Sequence, residues 1–174
     1  MLELVVWREL NRCRKENKTI KNFTGRLRYK IQGTGNKKQE NQKRKMKALA
    51  DLCERSRFST VWMNYYIQLP HAPISEVDVL AEGEDEKSSW ALVFEIKNRG
   101  DTNPPTIKDA ELFAEKVKRI KEMLAKKSKE VSFVCPVYLS AEGFDEDVES
   151  WLHNQGILTA DMETWEENRR RRST

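Results

Sequence analysis

The sequence has no long apolar run and little cysteine or histidine. None of its hydrophobic segments approaches the roughly twenty residues that a membrane-spanning helix requires, and Met1 is not followed by a signal-peptide pattern. Its three cysteines are far apart and form no CxxC pair, and His71 and His153 are isolated from each other. These absences disfavour a membrane protein and a thiolate metal site. They favour a reducing, cytoplasmic setting in which the cysteines are structural and the histidines lie on the surface.

Charge, in contrast, is abundant and unevenly distributed. Residues 1–47 contain 15 Lys and Arg against 4 Asp and Glu, whereas residues 48–174 contain 17 against 24. Five Trp, six Phe and four Tyr indicate a folded domain rather than a disordered chain. A basic segment joined to an acidic body favours a polyanionic partner, but a solvated, lysine-rich helical surface explains the same charge equally well.

Hydrophobic periodicity predicts the order of the elements. Helical spacing occurs in residues 2–13, weakly in 19–31, and in the strongly basic segment 37–57, with a glycine-containing hinge at 33–36. The remaining predicted elements are strands 61–69, 75–81 and 90–98, a helix at 106–127, a strand at 131–139, a helix at 144–152 and a strand at 156–160. Thr106 and Asp109 predict a capping box at the start of the helix at 106–127, and the Glu and Lys residues of its outer face are expected to be solvated. Pro136 predicts an edge or a bulge in its strand. Three successive strands indicate an antiparallel meander and the later strand–helix–strand a parallel crossover. We therefore predict an α/β fold with a mixed central sheet flanked by helices.

The predicted hairpin of strands 75–81 and 90–98 has two charged residues at the end of its otherwise apolar second strand. In 90–97, alternation puts Ala91, Val93, Glu95 and Lys97 on one face, and Trp90, Leu92, Phe94 and Ile96 on the other. In the preceding strand, alternation puts Val77 and Val79 on one face, and Glu76 and Asp78 on the other. Burial of a carboxylate and an ammonium costs several kcal/mol each unless they are paired or bind a metal. Asp78 on the preceding strand is separated from Glu95 by sixteen residues, which suits neighbouring strands of a hairpin. Two close carboxylates repel each other unless a cation lies between them, and Mg²⁺ prefers such oxygen ligands.

The pattern Glu76-Val-Asp78 followed by Phe94-Glu95-Ile96-Lys97 resembles the motif of the PD-(D/E)xK nuclease superfamily. The resemblance covers roughly residues 37–160 and implies a restriction-endonuclease-like core. It implies that Asp78, Glu95 and the carbonyl of Ile96 bind Mg²⁺, for which Mn²⁺ can substitute, and that Lys97 positions the attacking water. Many members add an acid from the first helix of the core, and Glu40 occupies that place.

These residues predict a metal-dependent endonuclease-type phosphodiesterase that acts on nucleic acid, in the first instance DNA. Phosphate contacts are expected from the basic helix and from the end of the hairpin, namely from Lys37, Lys38, Lys43, Arg44, Lys45, Lys47, Asn98 and Arg99. Alternatively, the two acids are surface carboxylates, and Lys97 forms a cross-strand salt bridge. Two other functions stay open: a nucleic-acid-binding module on the same fold that does not cut, and a protein-interaction module whose N-terminal helices dock a partner.

The predicted division of the chain has three parts. Residues 1–36 form a basic N-terminal helical extension, residues 37–160 the nuclease-like domain, and residues 161–174 a basic C-terminal tail. Cutting both strands of a duplex usually requires two sites, which is compatible with a homodimer. The pattern does not distinguish DNA from RNA.

Overall fold

The computed structural model describes residues 2–28, 37–68, 70–71, 73–97, 104–127, 129–163 and 165. The predicted hinge at 33–36 and the predicted contacts Asn98 and Arg99 lie outside these residues. Within the described part, four α-helices and one five-stranded sheet are present: α1 Leu2–Lys15, α2 Lys37–Arg55, β1 Thr60–Ile67, β2 Ser75–Glu84, β3 Ser88–Lys97, α3 Ile107–Ala125, β4 Val131–Ser140, α4 Glu146–Asn154 and β5 Leu158–Asp161.

The strands lie in the order β1-β2-β3-β4-β5. The first three form an antiparallel meander, and β3, β4 and β5 run parallel to one another. The predicted α/β class and mixed sheet are therefore confirmed. Pro136 was expected at an edge or bulge, but β4 is an interior strand. Proline is tolerated there because the pairing with β5 begins only at the next residue, Val137.

Two apolar clusters cover the two faces of the sheet. The first, here called the α1 cluster, joins α1 and α2 to residues such as Val79 and Phe94. The second, the α3 cluster, joins α3 and α4 to residues such as Leu80 and Val93. Residues 91–94 of β3 are completely buried because helices cover the strand on both sides. The end of β3 therefore lies in a protected, low-dielectric part of the molecule.

Helix α3 begins with the capping box that the sequence predicts. The Thr106 hydroxyl accepts a hydrogen bond from the Asp109 backbone N–H, and the Asp109 carboxylate accepts one from the Thr106 backbone N–H. These reciprocal bonds satisfy donors that the first turn of a helix otherwise leaves unpaired. They also fix Asp109 at the end of the helix nearest to Lys97.

The segment predicted as an N-terminal extension lies against the sheet. Helix α1 buries Leu2, Val6 and Leu10 in the α1 cluster, so this apolar face is not available to dock a partner. The helix predicted at 19–31 is wrong in its described part, where only the 3₁₀ turn Thr24–Arg26 is helical. The backbone leaves helical geometry at Asn22, whose φ is 54°.

The start of the C-terminal tail and the exposure of His153 also differ from the prediction. The predicted tail starts at residue 161, but Asp161 still belongs to β5 and Trp165 is buried in the α1 cluster between Phe23 and Phe94. His153, expected on the surface, is fully buried and hydrogen-bonded to the Thr159 hydroxyl at 3.0 Å. None of the described helices combines the length and the apolar character needed to cross a bilayer.

Candidate functional site

The predicted acids meet where β2 and β3 stop pairing. The last pair in the ladder between these strands is Val79 opposite Phe94. One step further on each strand lie Asp78 and Glu95, and the Asp78 carboxylate is close enough for its charge to raise the pKa of Glu95. The hairpin thus brings together the two acids that the sequence singled out.

A kink shared by β1 and β2 determines where Asp78 points. Side chains two residues apart on a strand normally share a face, and the sequence predicts this for Val77 and Val79. Instead, Val77 packs in the α3 cluster and Val79 in the α1 cluster, so the prediction is wrong at this point. On β1 the opposite residue is Asn64, which has φ 53° and is left out of the ladder together with Asp78. Such a local distortion redirects a side chain, here the Asp78 carboxylate.

The redirected carboxylate replaces a ladder bond. Asp78 Oδ2 accepts a hydrogen bond from the backbone N–H of Ile96 at 2.5 Å. The N–H and C=O of one strand residue point toward the same neighbouring strand, so the Ile96 carbonyl oxygen faces the same gap. The Asp78 carboxylate and the Ile96 carbonyl therefore face this gap, and the Glu95 carboxylate lies close enough for the charge of Asp78 to act on it.

Glu95 is the most strongly perturbed acid of the site. Burial and the neighbouring charge of Asp78 raise its pKa to about 7, although Lys116 opposes the shift. The Lys116 ammonium, from α3, donates to both Glu95 oxygens at 2.8 and 2.7 Å. An acid that loses its proton near neutral pH in a partly closed site is typical of functional sites.

Asp78 is perturbed in the same direction. Burial raises its pKa, and the hydrogen bond from Ile96 and the charge of Lys116 oppose the rise. Glu3 on α1 and Glu76 on β2 add further negative charge nearby and raise it as well. Four carboxylates thus contribute negative potential around this end of the hairpin, which favours a bound cation.

Lys97 lies two residues beyond Glu95 on the α3 side of the sheet. Its ammonium donates to Asp109 Oδ2 at 2.5 Å, and its side chain is only 13% exposed. Burial tends to raise the pKa of Asp109, but the hydrogen bonds from Lys97 and Thr106 outweigh this and lower it to about 2. The ammonium is therefore held in a fixed position by Asp109, whose own charge acts on Glu95.

Glu40 is not brought to this site. It is exposed in the first turn of α2, and Gln42, two residues further on, donates to the backbone carbonyl of His153 at 3.3 Å. His153 belongs to α4, which packs against β5, whereas Asp78 lies in β2, three strands away. Glu54, near the end of α2, accepts hydrogen bonds from the backbone and hydroxyl of Thr24 and has a structural role. The charge of Glu3, on α1, does reach the site and raises the pKa of Asp78.

The predicted phosphate contacts on α2 share one property, which is exposure to solvent. They form a basic surface on the side of the helix that faces away from the sheet: Lys37, Lys38, Lys43, Arg44, Lys45 and Lys47. The opposite side of α2 is buried through Met46, Ala50 and Cys53. This basic surface is separate from the hairpin site, since the start of α2 lies near α4 and β5.

The donor set suits a hard divalent ion. No cluster of three or more His, Cys, Asp or Glu side chains arranged for a metal occurs in the described part of the chain. Mg²⁺, however, commonly uses one or two carboxylates, retains several waters and completes its shell with substrate phosphates. Asp78, Glu95 and the Ile96 carbonyl match that requirement in number and in chemical type.

Sequence reasoning missed two residues of this site. Lys116 was counted with the solvated face of α3, although it lies four residues before the buried Ile120 and three after the buried Phe113. Asp109 was recognised only as a helix cap. Asp109 and Lys116 are seven residues, or two helical turns, apart, and this spacing was the available signal that both lie beside the apolar stripe of α3.

The chain matches no protein-family model, no curated protein and no solved structure.

Proposed function

We propose that this protein is a metal-dependent nuclease that hydrolyses phosphodiester bonds of nucleic acid, in the first instance DNA, and that its core has the restriction-endonuclease-like fold of the PD-(D/E)xK superfamily. The element order α2, β1, β2, β3, α3, β4 and the mixed sheet support the fold. The observation that carries the function is the hydrogen bond between the Ile96 backbone and the Asp78 carboxylate where β2 and β3 separate, with Glu95 close enough to be affected by the charge of Asp78.

In this proposal each residue has a distinct task. Asp78, Glu95 and the Ile96 carbonyl hold Mg²⁺ or Mn²⁺. When bound, such an ion polarises a phosphoryl oxygen and lowers the pKa of a coordinated water. Lys97, held by Asp109, orients the attacking water and offsets the negative charge that develops on the phosphate.

Binding of the substrate requires a source of positive charge, because the carboxylates alone repel a polyanion. The basic surface of α2 supplies exposed ammonium and guanidinium groups. Contacts between such groups and phosphates release counterions, so affinity should fall steeply with salt. If the wild-type protein binds DNA but does not cleave it, the alternative of a nucleic-acid-binding module that does not cut is favoured instead.

The direct test is a nicking assay on supercoiled plasmid with Mg²⁺ or Mn²⁺. Wild type is compared with Asp78→Ala and Lys97→Ala, and with matched controls at exposed positions, Asp147→Ala in α4 and Lys118→Ala in α3. We expect nicking by wild type and by both controls, and its loss in the two site variants. Equal nicking by all five proteins, or none by wild type, would remove the catalytic assignment.

A further inference from the structure

Helix α3 places a lysine on the acid that is expected to bind metal. Lys116 Nζ donates to both oxygens of Glu95, at 2.8 and 2.7 Å, so neither oxygen is without a donor. The two side chains are similarly protected, at 20% and 21% exposure. A buried carboxylate is stabilised by such a charge-assisted pair, and here the charge comes from a residue that the nuclease motif does not include.

The same ammonium influences the second acid. Lys116 lowers the pKa of Asp78 as well as that of Glu95, so its charge lies close to both carboxylates. A divalent ion bound by this pair would need the Glu95 oxygens that Lys116 now occupies. The two cations therefore compete for one place.

Lys116 is suited to leave that place. Its ammonium is a compact, strongly hydrated charge on a flexible four-carbon chain, and the side chain is one-fifth exposed. Lys97 differs in this respect, because the Asp109 carboxylate, fixed by the capping box, holds it. Lys97 of β3 is therefore held by a residue of α3, whereas Lys116 belongs to α3 itself and can move away from Glu95 toward solvent.

We propose that Lys116 is the resident cation of the metal-free site and is displaced from Glu95 when a divalent ion binds. This inference rests on the proposed function, since it assumes that Asp78 and Glu95 hold the ion. Lys116 stabilises the empty site and at the same time lowers its affinity for metal. It acts as a positioning residue for Glu95 and sets the metal concentration at which the site fills.

The test measures binding of Mn²⁺ alone by isothermal titration calorimetry, without nucleic acid. Lys116→Met removes the charge with little change of shape, and Lys118→Met is the matched control on an exposed position of α3. We expect Lys116→Met to bind Mn²⁺ about tenfold more tightly than wild type, the effect of losing one charge-assisted hydrogen bond that competes with the ion. The control should match wild type.

A thermal unfolding measurement separates displacement from a purely structural salt bridge. In EDTA, Lys116→Met should unfold at a lower temperature than wild type, and Mn²⁺ should raise its unfolding temperature by more than it raises that of wild type. Lys116→Gln, which keeps a hydrogen-bond donor, serves as the second variant and should behave likewise to a smaller extent.

The possible results distinguish the two proposals. Equal or weaker Mn²⁺ binding by both Lys116 variants, with normal binding by wild type, would overturn the displacement and leave the nuclease proposal intact. Absence of Mn²⁺ binding by every variant and by wild type at millimolar concentration would overturn both.

Discussion

The ammonium of Lys97 and the backbone of Thr106 share one oxygen atom, Oδ2 of Asp109. Lys97 donates to it at 2.5 Å, and the Thr106 N–H and hydroxyl each donate at 2.8 Å. A single carboxylate therefore joins the last residue of β3 to the cap of α3. The position of the lysine depends on the same interactions that start the helix.

Asp109→Asn should destabilise the protein in a pH-dependent way. The folded-state pKa of about 2 lies below the ordinary value of 3.8, so the stabilisation is complete above about 3.8 and is lost as pH falls through about 2. We expect a loss on the order of 1 kcal/mol at pH 7, a discounted figure because the Asp109 side chain is 33% exposed. Urea unfolding at pH 7 and pH 3, with Asp147→Asn as control, measures it. If wild type and Asp109→Asn differ in unfolding free energy as much at pH 3 as at pH 7, the pKa of Asp109 is not lowered as described.

Glu95→Gln should have the opposite pH dependence in the metal-free protein. The folded-state pKa of Glu95, about 7, lies above its ordinary value of 4.5, so the folded protein retains a proton that the unfolded chain releases. The charged acid therefore costs stability as pH rises from about 4.5 to about 7. We expect the variant to gain stability over wild type on the order of 1 to 3 kcal/mol between pH 5 and pH 8.

Urea unfolding in EDTA at several pH values checks this. The exposed Glu122→Gln on α3 is the control and should show no trend. If Glu95→Gln and wild type differ equally at pH 5 and pH 8, burial does not raise the pKa of Glu95 as described.

Arg26 and Glu9 form the most buried ion pair of the described chain. Their atoms Nη1 and Oε1 are 2.8 Å apart, the side chains are 5% and 11% exposed, and the guanidinium stacks over Trp165. Arg26→Met should cost about 3–5 kcal/mol because it leaves Glu9 charged and unpaired. Adding Glu9→Gln should recover a large part of that loss in denaturant unfolding. Equal stability of the single and double variants would show that the pair is not coupled.

Asn64 links the kink in β1 to the proposed metal site. Its φ of 53° is tolerated by asparagine and glycine but costs other residues roughly 1–2 kcal/mol. We expect Asn64→Gly to preserve both stability and Mn²⁺ affinity, whereas Asn64→Val should lower both because it straightens the strand and turns Asp78 away from Ile96. Normal Mn²⁺ binding by a folded Asn64→Val protein would separate the kink from the site.

Periodicity was sufficient to predict most of the architecture. The alternation in β3 correctly assigned Phe94 to one face and Val93 and Glu95 to the other, because helices cover both sides and no distortion interrupts the strand. The capping box at Thr106 was equally readable, since it depends only on residues three positions apart. Sequence patterns therefore predict the features that depend only on residues close together in the chain.

The features that sequence missed depend on distant contacts. No pattern in the sequence of β2 predicts that its side chains change faces at Asp78, because the distortion is shared with Asn64 on another strand. The pairing of Lys116 with Glu95 joins residues on different elements, and helical spacing only places Lys116 beside the apolar stripe. Glu40 was chosen by analogy of position, whereas the packing of α1 brings Glu3 near the acids instead.

The most direct measurement is anomalous diffraction from a crystal soaked in Mn²⁺. We expect one peak between the carboxylates of Asp78 and Glu95, within bonding distance of the Ile96 carbonyl oxygen, with the Lys116 ammonium moved away from Glu95. No peak at that position in a fully soaked crystal, with Lys116 still on Glu95, would contradict the metal site and the nuclease function that depends on it.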